Sequence, residues 1–356
     1  MIKKRIEQLQ AKLSNDEAFL VVSDINRLYL TGFKSSAGAV LLTKNTADTF
    51  LDFRYFEKAK KEIKDLNIIL TKKLYSQIKE ILLSTAVKTV YIETDYVNLE
   101  SFFLIKSALS DFEVSEDSTF SNLIKKMRFI KTDEEIALIK EAQKITDKAF
   151  LHILNFISDK KTEKEIALEL EFFMRRLSSE GVSFDTIAVS GKNSSLPHGV
   201  PTDKRVDIGD FVTMDFGAVI KGYRSDMTRT VAVGRINEKQ RFVYDTVLKA
   251  QLKALEKIKP NTVCKDIDKV ARDFISDAGF GENFGHGLGH SVGLEIHESP
   301  AFNTKDETPL EKGMVLTVEP GIYIENEFGV RIEDMVVITD KDYVNLTESD
   351  KNLIIL

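Results

Sequence analysis

Three of the five histidines in this chain, His286, His290 and His297, fall within twelve positions, in the run Phe284-Gly285-His286-Gly287-Leu288-Gly289-His290-Ser291-Val292-Gly293-Leu294-Glu295-Ile296-His297-Glu298. Glycine lets a backbone approach its neighbours closely, so such a segment can turn imidazoles toward one site instead of scattering them over a surface. The clustering reads as a metal or catalytic site; the plain alternative is three separate hydrogen-bonding histidines. Four carboxylates form the second half of the pattern. Asp215 lies in the apolar run Val212-Thr213-Met214-Asp215-Phe216, where an unpaired carboxylate is costly to bury. Asp226 opens the next strand eleven positions on, Glu319 ends Val315-Leu316-Thr317-Val318 just before Pro320-Gly321, and Glu333 reads as lying inside a strand over 330–336. Four carboxylates gathered without positive charge would repel one another severely. Divalent metal supplies that charge. Carboxylate-rich coordination with one imidazole suits manganese, cobalt, iron or zinc, and two ions sharing carboxylates sit ~3.5–4 Å apart. The competing reading pairs Asp226 with Arg229 and Glu333 with Arg331, or leaves four unrelated surface acids. It holds for any one residue, but four acids at or beside strands favour metal.

The elements that must position these groups follow from periodicity. Residues 211–217 and 226–233 read as two strands joined through the turn Lys221-Gly222-Tyr223-Arg224, so cross-strand pairing brings Asp215 and Asp226 together. Helices over 238–258 and 263–278 follow, then strands over 313–318 and 330–339. Ahead of them Thr132 with Glu135, and Thr162 with Glu165, are capping-box signals opening helices over 133–156 and 163–179. The first of these carries Ile136, Ile139, Ala142 and Ile145 on one face. Hairpins alternating with paired helices predict one α+β domain, in which a helix-plus-hairpin arrangement occurs twice without a sequence repeat. The N-terminal stretch reads differently: a helix over 2–13, a strand over 18–22, a hairpin from 37–43 and 49–51, helices over 54–63 and 75–84 and a strand over 87–92. That is a smaller α/β domain with a mixed sheet. The polar break Glu116-Asp117-Ser118 and the Thr132 cap set the division as 1–125 and 126–356. Gly32 and Gly38 stand too far apart for a dinucleotide turn.

At ~150 residues per domain, 356 residues also suggest two domains. Lys+Arg of 50 against Asp+Glu of 56 leaves a net charge of -6, which offers a polyanion no general attraction and argues against a nucleic-acid partner. One cysteine, Cys264, excludes an internal disulfide framework and points to a reducing compartment. With no apolar run near the ~20 residues of a membrane span and no hydrophobic leader segment, the expectation is a cytoplasmic protein with no membrane partner. Cys264 has no adjacent histidine to activate it. His152, inside a helix, reads as structural, Phe172 and Phe173 as core, and Tyr223 and Tyr323 as packing more than contact groups.

His198 in Leu196-Pro197-His198-Gly199, Asp215, the Ser225-Asp226-Met227-Thr228-Arg229-Thr230 segment, residues 285–298, Val318-Glu319-Pro320-Gly321 and Arg331-Ile332-Glu333-Asp334 together resemble the pita-bread metallopeptidases. Within them the chain is most similar to the proline-specific branch, Xaa-Pro aminopeptidase and Xaa-Pro dipeptidase (prolidase), rather than methionine aminopeptidase. Asn26-Arg27-Leu28-Tyr29-Leu30-Thr31-Gly32-Phe33 resembles that branch's N-terminal domain, and the two-domain form covers residues 1 to about 355. The resemblance implies a C-terminal pita-bread domain that holds two divalent ions per subunit, manganese first, with cobalt or zinc as alternatives. Asp215 would hold one ion bidentately, Asp226 and Glu333 would bridge both, and His290 with Glu319 would complete the second. His198 and His297 would contact the substrate carbonyl or oxyanion, His286 would line the pocket near the proline ring, and Arg331 would orient a carboxylate or contact substrate. A hydroxide bridging the ions would attack the carbonyl before the proline nitrogen, with Glu319 shuttling its proton. The implied activity is removal of an N-terminal residue preceding proline from peptides; the alternative is a prolidase restricted to dipeptides. A homodimer is implied as well. A non-enzymatic relative is disfavoured because all five expected ligands are present, and no basic extension supports nucleic-acid binding.

Overall fold

The computed structural model describes residues 1–356, which divide into two compact units, Met1–Arg128 and Phe129–Leu356. The first unit is built on six strands: β1 (Glu17–Val21), β2 (Ala39–Thr43), β3 (Ala47–Leu51), β4 (Asn67–Leu70), β5 (Thr89–Ile92) and β6 (Glu113–Ser115). Their order is β4-β3-β2-β1-β5-β6. The β1–β2 and β2–β3 pairs are antiparallel and the others parallel, giving the mixed sheet expected. Helices α1 (Ile2–Gln10), α2 (Asp24–Thr31), α3 (Phe53–Glu62), α4 (Leu74–Leu83), α5 (Leu99–Ala108) and α6 (Thr119–Phe129) complete it. Sheet residues Ala18, Leu20, Leu41, Phe50 and Val90 form one cluster with Ile78, Leu82 and Ile105 from α4 and α5. Three of these helices, α2, α5 and α6, escape the periodicity. The short α2 depends on local chemistry instead: Ser23 accepts from the Asn26 amide, and Gly32, at φ +68°, ends the helix in the left-handed conformation. Helix α5 exposes Leu99, Phe103 and Leu104 while burying Ile105, so it shows no clean apolar face.

The second unit opens with α7 (Asp133–Ile153) and α8 (Glu163–Arg176), each begun by the expected capping box. Strands β7 (Ile187–Ser190), β8 (Phe211–Phe216), β9 (Val219–Ile220), β10 (Tyr223–Arg224) and β11 (Met227–Ala232) follow, then α9 (Glu238–Lys257) and α10 (Cys264–Asp277). The chain finishes with β12 (Gly289–Ser291), β13 (Glu298–Phe302), β14 (Val315–Val318), β15 (Gly321–Ile324), β16 (Phe328–Arg331), β17 (Asp334–Ile338) and β18 (Tyr343–Asn345). Two sheets matter for function, the three-stranded β11-β8-β7 and the five-stranded β13-β12-β14-β17-β18. The pair α7–α8 packs on the first, through Ile145, Phe150 and Leu170 against Val212, Met214 and Met227. The pair α9–α10 packs on the second, through Val247, Ile267 and Ile275 against Leu316, Val318 and Val336. The doubled helix-and-strand arrangement is thus two helical layers, each with its own apolar cluster.

One expected element changes. The strand expected over 330–339 is two strands, because β16 pairs with β15 whereas β17 pairs with β14. Ile332 and Glu333 occupy the break, so Glu333 does not lie inside a strand. There its amide donates to the Thr228 carbonyl at 3.1 Å. Phe172 departs as well. The buried face of α8 is Ile166, Ala167, Leu170 and Met174, and two positions beyond Leu170 is about 200° around a helix. Phe172 accordingly stands 59% exposed, whereas Phe173 packs at the cluster's margin. No helix is long and apolar enough to cross a membrane.

Candidate metal centre and active site

The antiparallel register places Thr228 opposite Asp215 and Met227 opposite Phe216, so Asp226, one residue before β11, emerges beside the Asp215 carboxylate. The break between β16 and β17 adds Glu333. One carboxylate oxygen from each of the three lies within 4.8 Å of the others. In every case the protein engages at most one of the two oxygens. Arg331 Nη2 donates to Asp215 Oδ2 at 2.6 Å and Thr228 Oγ1 to Glu333 Oε2 at 2.7 Å. Asp215 Oδ1, Asp226 Oδ1 and Glu333 Oε1 are buried with no hydrogen-bond partner. Buried carboxylate oxygens are normally saturated, and three orphans on carboxylates that approach one another this closely are the donor set of a hard divalent cation. Electrostatics agree. Burial, then the charges of Glu333 and Asp215, pushes the Asp226 carboxyl well above its ordinary range, and burial with Glu319 and Asp215 does the same to Glu333. Arg331 offsets only part of that repulsion.

His290 and Glu319 close the cluster. His290 Nε2 lies 3.3 Å from Glu319 Oε1 and 3.6 Å from Asp226 Oδ2. Its Nδ1 faces the Ser291 carbonyl at 3.2 Å, an outer hydrogen bond of the kind that orients metal-ligating imidazoles. Burial alone would raise the Glu319 carboxyl, but the His290 hydrogen bond and charge outweigh it and bring it down to about 2. His290 shifts upward in return, Glu319 overcoming the effect of burial. Thr317 ties both together: its hydroxyl donates to Glu319 Oε1 at 3.0 Å and accepts from the His290 amide at 3.0 Å. Gly289 permits this approach, since a Cβ there would stand 2.1 Å from the Thr317 carbonyl oxygen.

These groups open into a cavity of about 490 Å³ whose walls include Asp215, Asp226, His290, Glu319, His198, His286, His297 and Arg331. The ring of His297 meets that of His290 edge-on at 4.4 Å, and burial, then the neighbouring His290, lowers its pKa. Burial likewise lowers His286. Its Nδ1 faces the Gly287 carbonyl at 2.8 Å, and its Nε2 meets the Tyr323 hydroxyl at 3.0 Å, which in turn accepts from Arg331 Nη1 at 2.8 Å. The structure therefore gives Tyr323 a polar role, bridging two residues of the cavity wall, that packing alone does not describe. Tyr223, by contrast, is buried and donates to Glu135 of the α7 capping box at 2.8 Å.

Arg331 does not pair with Glu333, because the strand break cancels the two-residue alternation that would align them. It holds Asp215, Tyr323, the Thr228 hydroxyl at 2.9 Å and the Pro197 carbonyl at 3.1 Å. Arg229 likewise leaves Asp226 and pairs with Asp334 at 2.8 Å. His152 lies outside the cavity, 2.6 Å from Glu169 and stacked at 3.9 Å on Phe173. Cys264 is buried, its thiol pushed up to about 12 by burial. Sequence reasoning missed the supporting hydroxyls of Thr228 and Thr317. The signal was present in the β8–β11 register and in the two-residue spacing of Thr317 and Glu319, which puts both on one side of an extended chain.

Residues 137–340 match metallopeptidase family M24, and residues 5–130 match the creatinase/prolidase N-terminal domain. The chain is 40% identical to an Xaa-Pro dipeptidase of Pyrococcus furiosus over 325 residues, 90% of this chain and 91% of that protein. Among solved structures, an Xaa-Pro dipeptidase from Bacillus anthracis superposes with a TM-score of 0.95 at 40% identity, covering 100% of both chains. An X-Pro aminopeptidase from Thermotoga maritima gives 0.91 at 37% identity, covering 98% of this chain and 100% of that one.

Proposed function

The chain belongs to metallopeptidase family M24, and on that premise we propose that it is an Xaa-Pro dipeptidase, a metal-dependent exopeptidase that splits dipeptides at the bond before proline. The observation that carries the metal chemistry is the trio of orphaned buried oxygens on Asp215, Asp226 and Glu333, the two aspartates lining a cavity that also presents His198, His286 and His297. Asp215, Asp226, His290, Glu319 and Glu333 would hold two divalent ions, with manganese, cobalt and zinc all compatible with that donor set. When bound, such ions supply Lewis acidity and lower the pKa of water. The chain's own groups do the rest. Glu319 accepts a proton at Oε2 and delivers it to the leaving imino nitrogen, its Oε1 being held by Thr317. His297 and His198 donate N–H toward the developing oxyanion. His286, fixed between Gly287 and Tyr323, forms the wall against the proline ring, and Arg331 orients Asp215 and opposes the upward shift that burial gives its carboxyl.

The dipeptidase reading takes precedence over the aminopeptidase favoured by sequence because dipeptidases of Pyrococcus furiosus and Bacillus anthracis match this chain at 40% identity. A second reading, Xaa-Pro aminopeptidase, is supported by one feature of the cavity. Arg331, the single guanidinium in its lining, is committed to four protein partners, which leaves it poorly placed to receive a dipeptide's carboxylate. Cytoplasmic location and a homodimer belong to the same proposal, and sedimentation velocity tests the latter. The activity test is hydrolysis, after metal reconstitution, of a matched Xaa-Pro dipeptide and Xaa-Pro-Yaa tripeptide, with Glu319→Ala as control. Dipeptide-only cleavage supports the first reading, tripeptide cleavage moves it to the aminopeptidase, and metal-loaded protein inactive on both overturns the assignment.

A further inference from the structure

His198 lines the cavity, yet no protein group holds its imidazole and it is exposed. Its position must therefore be set through its backbone, by the excursion of residues 191–201 between the end of β7 and Thr202. Both ends of that excursion converge on one side chain. Glu163, the first residue of α8, is 0% exposed, and its Oε1 accepts from the Ser190 amide at 2.7 Å, the Ser190 hydroxyl at 3.0 Å and Asn193 Nδ2 at 3.1 Å. Its Oε2 accepts from the Thr202 amide at 3.0 Å and the Thr202 hydroxyl at 2.6 Å. Such charge-assisted bonds are short and strong, and inside a protein each is worth more than in water. Further in, the Pro197 carbonyl accepts from Arg331 Nη1. The loop is thus fixed at its two ends by Glu163 and beside His198 by the guanidinium that also holds Asp215.

We infer that Glu163 is a positioning residue for His198: its buried carboxylate closes the 191–201 loop so that the imidazole stands over the metal cluster. The inference rests on the peptidase reading for the chemistry of His198, but the closure of the loop stands apart from it. Glu163→Gln keeps the shape and replaces half of the acceptor set with a donor facing other donors. Thr202→Val removes one hydroxyl at the exposed end of the loop and spares the α8 interior. Neither residue is among the proposed metal ligands.

The experiment has two arms on manganese-loaded full-length protein. Hydrogen exchange should accelerate at amides 191–202 in both variants, with β8 amides unchanged and manganese affinity within about twofold of wild type. In Xaa-Pro dipeptide hydrolysis, both variants should lower kcat/KM, Glu163→Gln by about tenfold or more, the scale expected when a reacting group is displaced by about an ångström. In a His198→Ala background the same substitutions should cost no more than about twofold, since their effect passes through His198. Unchanged loop exchange overturns the inference, as does an undiminished penalty in the His198→Ala background. If wild type cleaves no Xaa-Pro peptide, the functional reading fails while the exchange arm still decides whether Glu163 closes the loop. Should Glu163→Gln fail to fold, Thr202→Val alone decides both arms.

Discussion

Glu93 in the N-terminal unit and Glu333 in the C-terminal unit are both glutamates buried to 1% exposure or less, and their surroundings are opposite. Glu93 is saturated: the amides of Val22 and Ser23, the Ser23 hydroxyl and Asn26 Nδ2 all donate to it within 2.8 Å. Those donors fix the start of α2, and nothing is left over. Glu333 has one oxygen held by Thr228 and the other without a partner, in the cluster it forms with Asp215 and Asp226, each of which also carries an orphaned oxygen. The difference separates an acid that stabilises a fold from acids kept for a ligand. A folded chain tolerates the second kind only if something else repays the burial.

The largest effect that separates the two regions should be on activity. Asp226→Asn is expected to lower peptide hydrolysis by roughly a thousandfold or more, because it removes a donor from the ions that carry the chemistry, whereas Glu93→Gln should leave kcat of the folded protein within a few-fold. Steady-state kinetics on metal-loaded protein checks both. Stability should invert the order. Glu93→Gln places an amide among four donors and should cost about 3 kcal/mol in urea unfolding; Asp226→Asn should raise the melting temperature of metal-free protein by relieving repulsion. If Asp226→Asn destabilises the metal-free protein as much as Glu93→Gln does, the contrast collapses.

Cation and proton give smaller, graded tests. Manganese at about a hundred times its Kd should stabilise wild type by about 2.7 kcal/mol for each ion bound through binding to the native state alone, and Asp226→Asn should lose most of that gain in a thermal melt. Acidity should act in the same sense on metal-free protein. Asp226 and Glu333 have native values raised above their unfolded ones, so the native state binds more protons and gains stability as pH falls from neutrality toward the ordinary carboxylate range. Glu319, lowered to about 2, contributes in the opposite direction, losing its stabilisation as pH falls below about 4.5. Between pH 7.5 and 5.5 the raised His290 adds to that gain and the lowered His286 and His297 oppose it, so the test is the comparison: Asp226→Asn should gain less in urea midpoint than metal-free wild type on going from pH 7.5 to pH 5.5.

What sequence disclosed follows the same division between local and long-range causes. The capping boxes at Thr132 and Thr162, the β2–β3 hairpin and the β8–β11 pair were legible because their signals lie within a few residues. Helices α2, α5 and α6 were not, since α2 is fixed by Ser23 and Glu93, 70 residues apart in sequence, and α5 has no clean apolar face. At the site, the acids and histidines announced themselves by residue type and position. Their partners did not: Arg331 ends β16 and pairs with Asp215 while Glu333 sits in the β16–β17 break, and Glu163 reaches the His198 loop by burial that no spacing encodes.

The most direct test of the central claim is equilibrium titration of chelator-stripped protein with manganese(II), counting ions bound per chain in wild type and Asp226→Asn. The account predicts two ions per wild-type chain and loss of at least one in the variant. Wild type that takes up no manganese, or a variant that binds as many ions as tightly, would contradict it.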